Sequence, residues 1–220
     1  MTDIYNIFKN ETTLLVDKWM PYFDVYERYY GKFRNQNPTF VEVGVWHGGS
    51  IEAWVKYFGE GSKIYGIDIN PKVKEIPGAN IVIADQSDVR FWDKFLNEVG
   101  EIDCFLDDGS HKSIDQIITF NKVWPKIKDG GVFICEDTCT SYWDGPFYDG
   151  GHNKPGTFME YVKVLIDYLH IEMTDKFDQN DFLKELTKDI GQIHCYGSQV
   201  VFIKGKPKYE RVYFNNNGQY

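Results

Sequence analysis

The 220 residues, 42% hydrophobic and 17% aromatic, suffice for one α/β domain with a substantial core and short additions. A net charge of −9 argues against a nucleic-acid partner, since phosphate binding requires clustered Lys and Arg; small molecules or neutral glycans fit better. No apolar run approaches the roughly 18 residues of a membrane span, and Met1–Asn10 lacks the cationic start and apolar stretch of a signal peptide, so a cytoplasmic protein is expected.

Residues 12–33 place Leu14, Leu15, Trp19, Tyr22, Phe23, Tyr26 and Tyr30 at three- and four-residue spacings, which predicts helix interrupted near Pro21. This N-terminal segment, residues 1–37, is expected to pack onto the sheet; covering a pocket or self-association into a homo-oligomer are alternatives. A strand at Phe40–Val43 runs into Gly44-Val45-Trp46-His47-Gly48-Gly49-Ser50, and Ile51, Trp54, Val55 and Phe58 mark a helix stopped by Gly59 and Gly61.

Further strands follow at Lys63–Ile67, closing in Asp68, Ile69 and Asn70, and at Asn80–Ala84, closing in Asp85 and Gln86. Val89, Trp92, Phe95, Leu96 and Val99 mark a helix before the fourth strand, Ile102–Leu106. Ser113 and Gln116 have capping-box spacing for a helix burying Ile114, Ile117, Ile118 and Val123. The fifth strand is Val132–Cys135.

The gap Thr138–Gly156 is too long for an ordinary connection and reads as an active-site lid, its Tyr142 and Trp143 candidates for substrate contact. Then come a helix from Thr157 to about His170, a short one at Phe182–Leu186, and a hairpin, Ile193–Tyr196 with Val200–Ile203. The polar tail, 206–220, is expected to fray from Asn215. Cys104, Cys135, Cys139 and Cys195 form no CxxC pair, and two fall in central strands, so they read as reduced core thiols.

Short apolar strands alternating with helices predict a doubly wound, mostly parallel α/β sheet over residues 38–205, with a terminal antiparallel hairpin. Ligands of such sheets bind beyond the strands' carboxyl ends. That edge collects Gly44, Asp68, Asp85, Asp108 and Glu136. The loop after the first strand is not a dinucleotide fingerprint, because Trp46 stands where the second glycine should be, and no GK[ST] follows. Glu42, two residues before Gly44, suits a ligand bearing an ammonium group, and Asp68 suits a ribose diol. Asp85 and Gln86 could reach an adenine edge. S-adenosylmethionine carries these groups and no phosphate.

The segments FVEVGVWHGGS, YGIDINP, ADQSD, FLDDGSH and GGVFICEDTCTSYW, in this order, resemble the class I methyltransferases, and specifically the metal-dependent sugar O-methyltransferases of macrolide and related glycoside tailoring, from about Asp17 to Lys204. The chain departs from that family in carrying Cys139 where histidine is frequent. The resemblance implies a Rossmann-like fold and a cofactor site of Glu42, Gly44, Gly48, Ser50, Asp68, Ile69, Asp85 and Gln86, with Asp107 close by. It implies a metal held by Asp108, Glu136 and Asp137, and His111 as catalytic base. Hard carboxylate donors without a Cys-His set favour Mg²⁺, with Mn²⁺ or Ca²⁺ as alternatives. The cation would orient vicinal hydroxyls of a sugar; a catechol, or cofactor binding without turnover, are the competing readings.

Overall fold

The computed structural model describes residues 2–73, 75–174 and 180–206, and the backbone of 214–215 and 218–219. Its centre is a seven-stranded sheet: β1 (Thr39–Val43), β2 (Lys63–Asp68), β3 (Ala79–Ile83), β4 (Ile102–Asp107), β5 (Ile127–Cys135), β6 (Ile190–Tyr196) and β7 (Gln199–Lys204). The order is β3-β2-β1-β4-β5-β7-β6, with only β7 antiparallel to its neighbours. Chain order reverses between β1 and β4, which opens a crevice beyond their carboxyl ends.

The central strands are buried on both faces, and their side chains alternate between two cores. Phe40, Cys104, Leu106, Val132 and Ile134 face one core, with α1 (Asp3–Asn10), α2 (Tyr22–Tyr30) and α3 (Gly49–Phe58). Val41, Val43, Phe105, Phe133 and Cys135 face the other, under α4 (Val89–Val99), α5 (Ser113–Val123), α6 (Phe158–Tyr168) and α7 (Asp181–Thr187). All four cysteines are free, and Cys104 and Cys135 are buried. Among the described residues no helix is long and apolar enough to cross a membrane.

Strand β5 begins at Ile127, five residues before its expected start at Val132. The other strands, α3, α4, α6, α7 and the terminal hairpin match the expectations to within a few residues. The N-terminal segment does not. The helix expected to begin at residue 12 begins at Tyr22, and a separate helix, α1, lies upstream with Thr2 accepting from the amide of Tyr5. Residues 11–21 are irregular because their polar backbone is satisfied from outside: Glu52 accepts the amides of Thr13 (2.7 Å) and Leu14 (3.1 Å), and Gly49 donates to Leu15. β-Branched Thr12, Thr13 and Val16 weaken the helical alternative.

Helix α5 also departs from expectation. No side chain caps it, so the Ser113–Gln116 box is not formed, and Ile114 is 55% exposed. Its buried side near the N-terminus is polar instead: Asp115, Gln116 and Thr119. That side lies over the acidic strand ends, where Gln116 donates to the carbonyl of Glu136 (3.1 Å). The tail expected to fray includes a two-residue pairing of Phe214–Asn215 with Gly218–Gln219; its remaining residues lie outside the described ones, Lys206 excepted.

Candidate active site

At the exit of β1, Gly44 takes φ +92°, and a Cβ there would lie 1.8 Å from the carbonyl oxygen of Asp108. The β1 and β4 exits thus approach so closely that only glycine fits. Asp68, ending β2, holds the loop after β1: one carboxylate oxygen accepts the amides of Val45 (2.9 Å) and Trp46 (2.8 Å), and the other accepts that of Asn70 (2.8 Å) in its own loop. The amides a pyrophosphate would require are therefore already taken. A cleft of about 150 Å³ beside this loop is lined by Gly44, Asp68, Ile69, Asp85, Gln86 and Ser110, among others.

Five of the residues expected around a cofactor thus share one cleft, but Gln86 does not offer its side chain to it. The Gln86 amide donates to Asp107 (2.7 Å) and Thr119 (3.0 Å) and accepts from the amide of Ser110 (2.9 Å). Asp107 lies beneath it, 1% exposed, with burial pushing its carboxyl up to about 7. Asp85 remains exposed at the rim, its carboxyl held below the usual range by the amide and hydroxyl of Ser87.

Three expected cofactor contacts lie elsewhere. Glu42 is 0% exposed and accepts from Ser50 (2.9 Å), and the ammonium it faces, at 3.5 Å, belongs to Lys18 of the chain itself. Burial raises the Glu42 carboxyl to about 8, with Lys18 pulling it down. Ser50 is consumed by Glu42, and Gly48 lies beneath Leu14 and Ile76. Residue type marks an acid as suited to an ammonium without saying whose.

A second cavity, about 400 Å³, adjoins the cleft and shares Gly44, Asp68 and Gly109 with it. Asp17, Trp46, Asp108, His111 and Asp137 also line it. Donor atoms of Asp108, His111 and Asp137 fall within 4.8 Å of one another. Trp46, His111 and Asp137 each hold a left-handed backbone, φ 50°, 57° and 50°, which costs of order 1 kcal/mol or more per residue and persists where surroundings over-determine it. Thr140 is one such constraint: its hydroxyl lies 2.7 Å from the His111 carbonyl and 2.8 Å from that of Asp137.

Burial lowers the His111 pKa, against the opposing pull of Asp137 and Glu136, so the ring is neutral near pH 7. His111 Nε2 lies 3.6 Å from Asp137, and buried Nδ1 has no hydrogen-bond partner among the described residues. Two carboxylates and an imidazole with an unpartnered buried nitrogen are a donor set that fits a divalent cation.

Glu136, expected as a third metal ligand, stands outside this group. It is fully buried and accepts from Tyr26, from Gln199 (3.0 Å) and from Lys18 (2.8 Å). Burial raises its carboxyl to about 7 against the pull of Lys18. Tyr22 donates to Asp137 (2.6 Å). In the sequence Tyr22 and Tyr26 read as packing and Lys18 carried no reading; the available signal was four acids at strand ends with no cation among them. Tyr142 and Trp143 are about half exposed and line neither cavity, whereas Trp46 does.

Residues 41–138 match the family model described as a methyltransferase domain. With this sheet order and this cleft, the chain belongs to the class I, S-adenosylmethionine-dependent methyltransferases. Its relatives within that class act on glycosides. It is 36% identical over 165 residues to the 8-demethyl-8-alpha-L-rhamnosyl tetracenomycin-C 2'-O-methyltransferase of Streptomyces olivaceus, covering 70% of this chain and 43% of the relative. It is 32% identical over 195 residues to the mycinamicin VI 2''-O-methyltransferase of Micromonospora griseorubida, covering 82% and 47%. Among solved structures, the MycE methyltransferase from the mycinamycin biosynthetic pathway, in complex with Mg, SAH and mycinamycin VI, matches with a TM-score of 0.76 at 28% identity over 92% of this chain and 52% of that one. The chain spans about half the length of these relatives.

Proposed function

We propose that this chain transfers a methyl group from S-adenosylmethionine to a hydroxyl of a sugar or glycoside, with a divalent cation, Mg²⁺ foremost, at the acid cluster. The observation that carries the reading is the junction of the two cavities. A cleft whose loop amides are already taken, suited to a phosphate-free cofactor, opens directly onto Asp108, His111 and Asp137. The named relatives, all O-methyltransferases of glycosylated compounds, support it.

Asp68 would face the ribose with the acceptor capacity its three amide bonds leave, and Asp85 the adenine rim. Asp108 and Asp137 would hold the cation, which when bound orients vicinal hydroxyls and lowers their pKa. His111, its ring beside Asp137, takes the hydroxyl proton at Nε2. Tyr22 holds Asp137 in place through its second oxygen. Trp46 gives the cavity an exposed aromatic face of the kind that packs on the apolar side of a sugar ring. The remaining requirement is positioning of oxygen, methyl and sulfur in line, which the rigid exits of β1 and β4 supply.

A panel of rhamnosides, other deoxyhexosyl glycosides and catechols, incubated with isotopically labelled S-adenosylmethionine and analysed by mass spectrometry, tests the acceptor class. Methylated glycosides are expected. Methylation confined to catechols would move the assignment to an aromatic diol, and cofactor binding with no product from any acceptor would leave a binding module.

A further inference from the structure

Lys18 reaches into the acid cluster from the irregular segment 11–21. Its side chain is 3% exposed, and its ammonium lies 2.5 Å from Asp108 Oδ2, 2.8 Å from Glu136 Oε2 and 3.5 Å from Glu42 Oε1. We propose that Lys18 is the resident counter-cation of this cluster, and that a divalent ion entering at Asp108 and Asp137 displaces its ammonium and releases Glu136 to join them. The inference rests on the metal reading above.

Two fully buried carboxylates, Glu42 and Glu136, and the partly buried Asp108 facing one another would lose hydration without compensation, so the ion-free fold requires a cation of its own. Lys18 provides it. An ammonium and a dication sharing Asp108 would repel each other in a poorly screened interior, and Asp108 Oδ2 cannot serve both at full strength. Glu136 is satisfied by Lys18, Tyr26 and Gln199, and turns toward an ion only once the strongest of these partners withdraws.

The segment carrying Lys18 is built to let it withdraw. Upstream, Thr13, Leu14 and Leu15 are anchored to Glu52 and Gly49; downstream, Tyr22 donates to the carbonyl of Trp19. Between these anchors Val16, Asp17 and Lys18 make no backbone–backbone hydrogen bond among the described residues, and Trp19 and Met20 are exposed. A cavity of about 170 Å³, lined by Asp17, Lys18, Trp19, Asp108, Glu136 and Asp137, gives the side chain room to move.

The test uses the full chain and Mn²⁺ alone, with free ion counted by electron paramagnetic resonance. K18M, close in length and uncharged, is expected to bind Mn²⁺ about tenfold tighter than wild type or better, about 1.4 kcal/mol, whereas K18R stays near wild type. In the wild-type chain, amine-reactive labelling of Lys18, read by mass spectrometry, should rise several-fold when Mn²⁺ saturates the site; this arm decides the matter if K18M does not fold. Wild-type binding with K18M no tighter, or labelling indifferent to Mn²⁺, overturns the exchange and leaves the metal reading standing. Failure of wild type and K18M alike to bind Mn²⁺ overturns both.

Discussion

The two halves of the crevice are built on opposite terms. On the side of β1, β2 and β3, polar side chains are held within the protein: Asp68 closes the glycine loop, Gln86 is bound by Asp107, Thr119 and Ser110, and Glu42 is held by Ser50 and Lys18. On the side of β4 and β5, carboxylates outnumber cations, buried His111 Nδ1 and Asp107 Oδ2 have no hydrogen-bond partner among the described residues, and His111 and Asp137 hold left-handed backbones, as Trp46 alone of the non-glycine residues does in the loop after β1. The first half is shaped by folding and presents a finished surface to a ligand. The second retains unpartnered polar atoms and an excess of carboxylates, as expected where binding completes the site. Substitutions in the first should therefore register mainly in stability, and those in the second mainly in ion binding and turnover.

The largest effect expected is from Gly44→Ala. The added methyl would overlap the Asp108 carbonyl, and φ +92° is strained for alanine, so a loss beyond about 4 kcal/mol, or failure to fold, should appear in urea unfolding. A well-folded variant with a normal midpoint would show that the β1 and β4 exits are not locked together. Next, His111→Ala should lower kcat by about 10²–10⁴ with S-adenosylmethionine affinity unchanged by calorimetry; unaltered turnover would reassign the base.

Gln86→Ala leaves Asp107 and the Ser110 amide without their partner and should cost about 1–3 kcal/mol in the same unfolding assay. A loss of turnover without loss of stability would break the division between the halves. The smallest effect sharpens it. Tyr22→Phe removes the donor to Asp137 and should weaken Mn²⁺ binding by about 10-fold while the unfolding midpoint barely moves; a large drop in the midpoint would make that hydroxyl structural.

The framework and the acids were legible in the chain because apolar runs end abruptly at Asp68, Asp85, Asp107–Asp108 and Glu136–Asp137, and a parallel sheet brings such ends to one edge. What each acid does there was less legible. Glu42 and Asp108 look alike as acids among apolar residues, and Lys18, 24 and 90 positions away, contacts both; one is sealed inside beside Ser50 while the other opens on a cavity, a difference set by the tertiary packing. The same long-range dependence hid residues 11–21, whose conformation is set by Glu52 and Gly49, and the polar underside of α5, which only the neighbouring strand ends explain. Tyr142 and Trp143 were plausible by composition, but an aromatic's position relative to a cavity is a tertiary property: these two line neither cavity, whereas Trp46 lines one.

On the proposed reading, a cofactor cleft complete in itself adjoins an acid cluster that turnover requires to take up a divalent cation. The most direct test is to strip the protein with chelator, measure S-adenosylmethionine binding by calorimetry, and assay methyl transfer to an accepted glycoside before and after Mg²⁺ is restored. Binding should survive the chelator while transfer is lost and returns with Mg²⁺. Transfer that persists in fully stripped protein, or cofactor binding that disappears together with the metal, would contradict it.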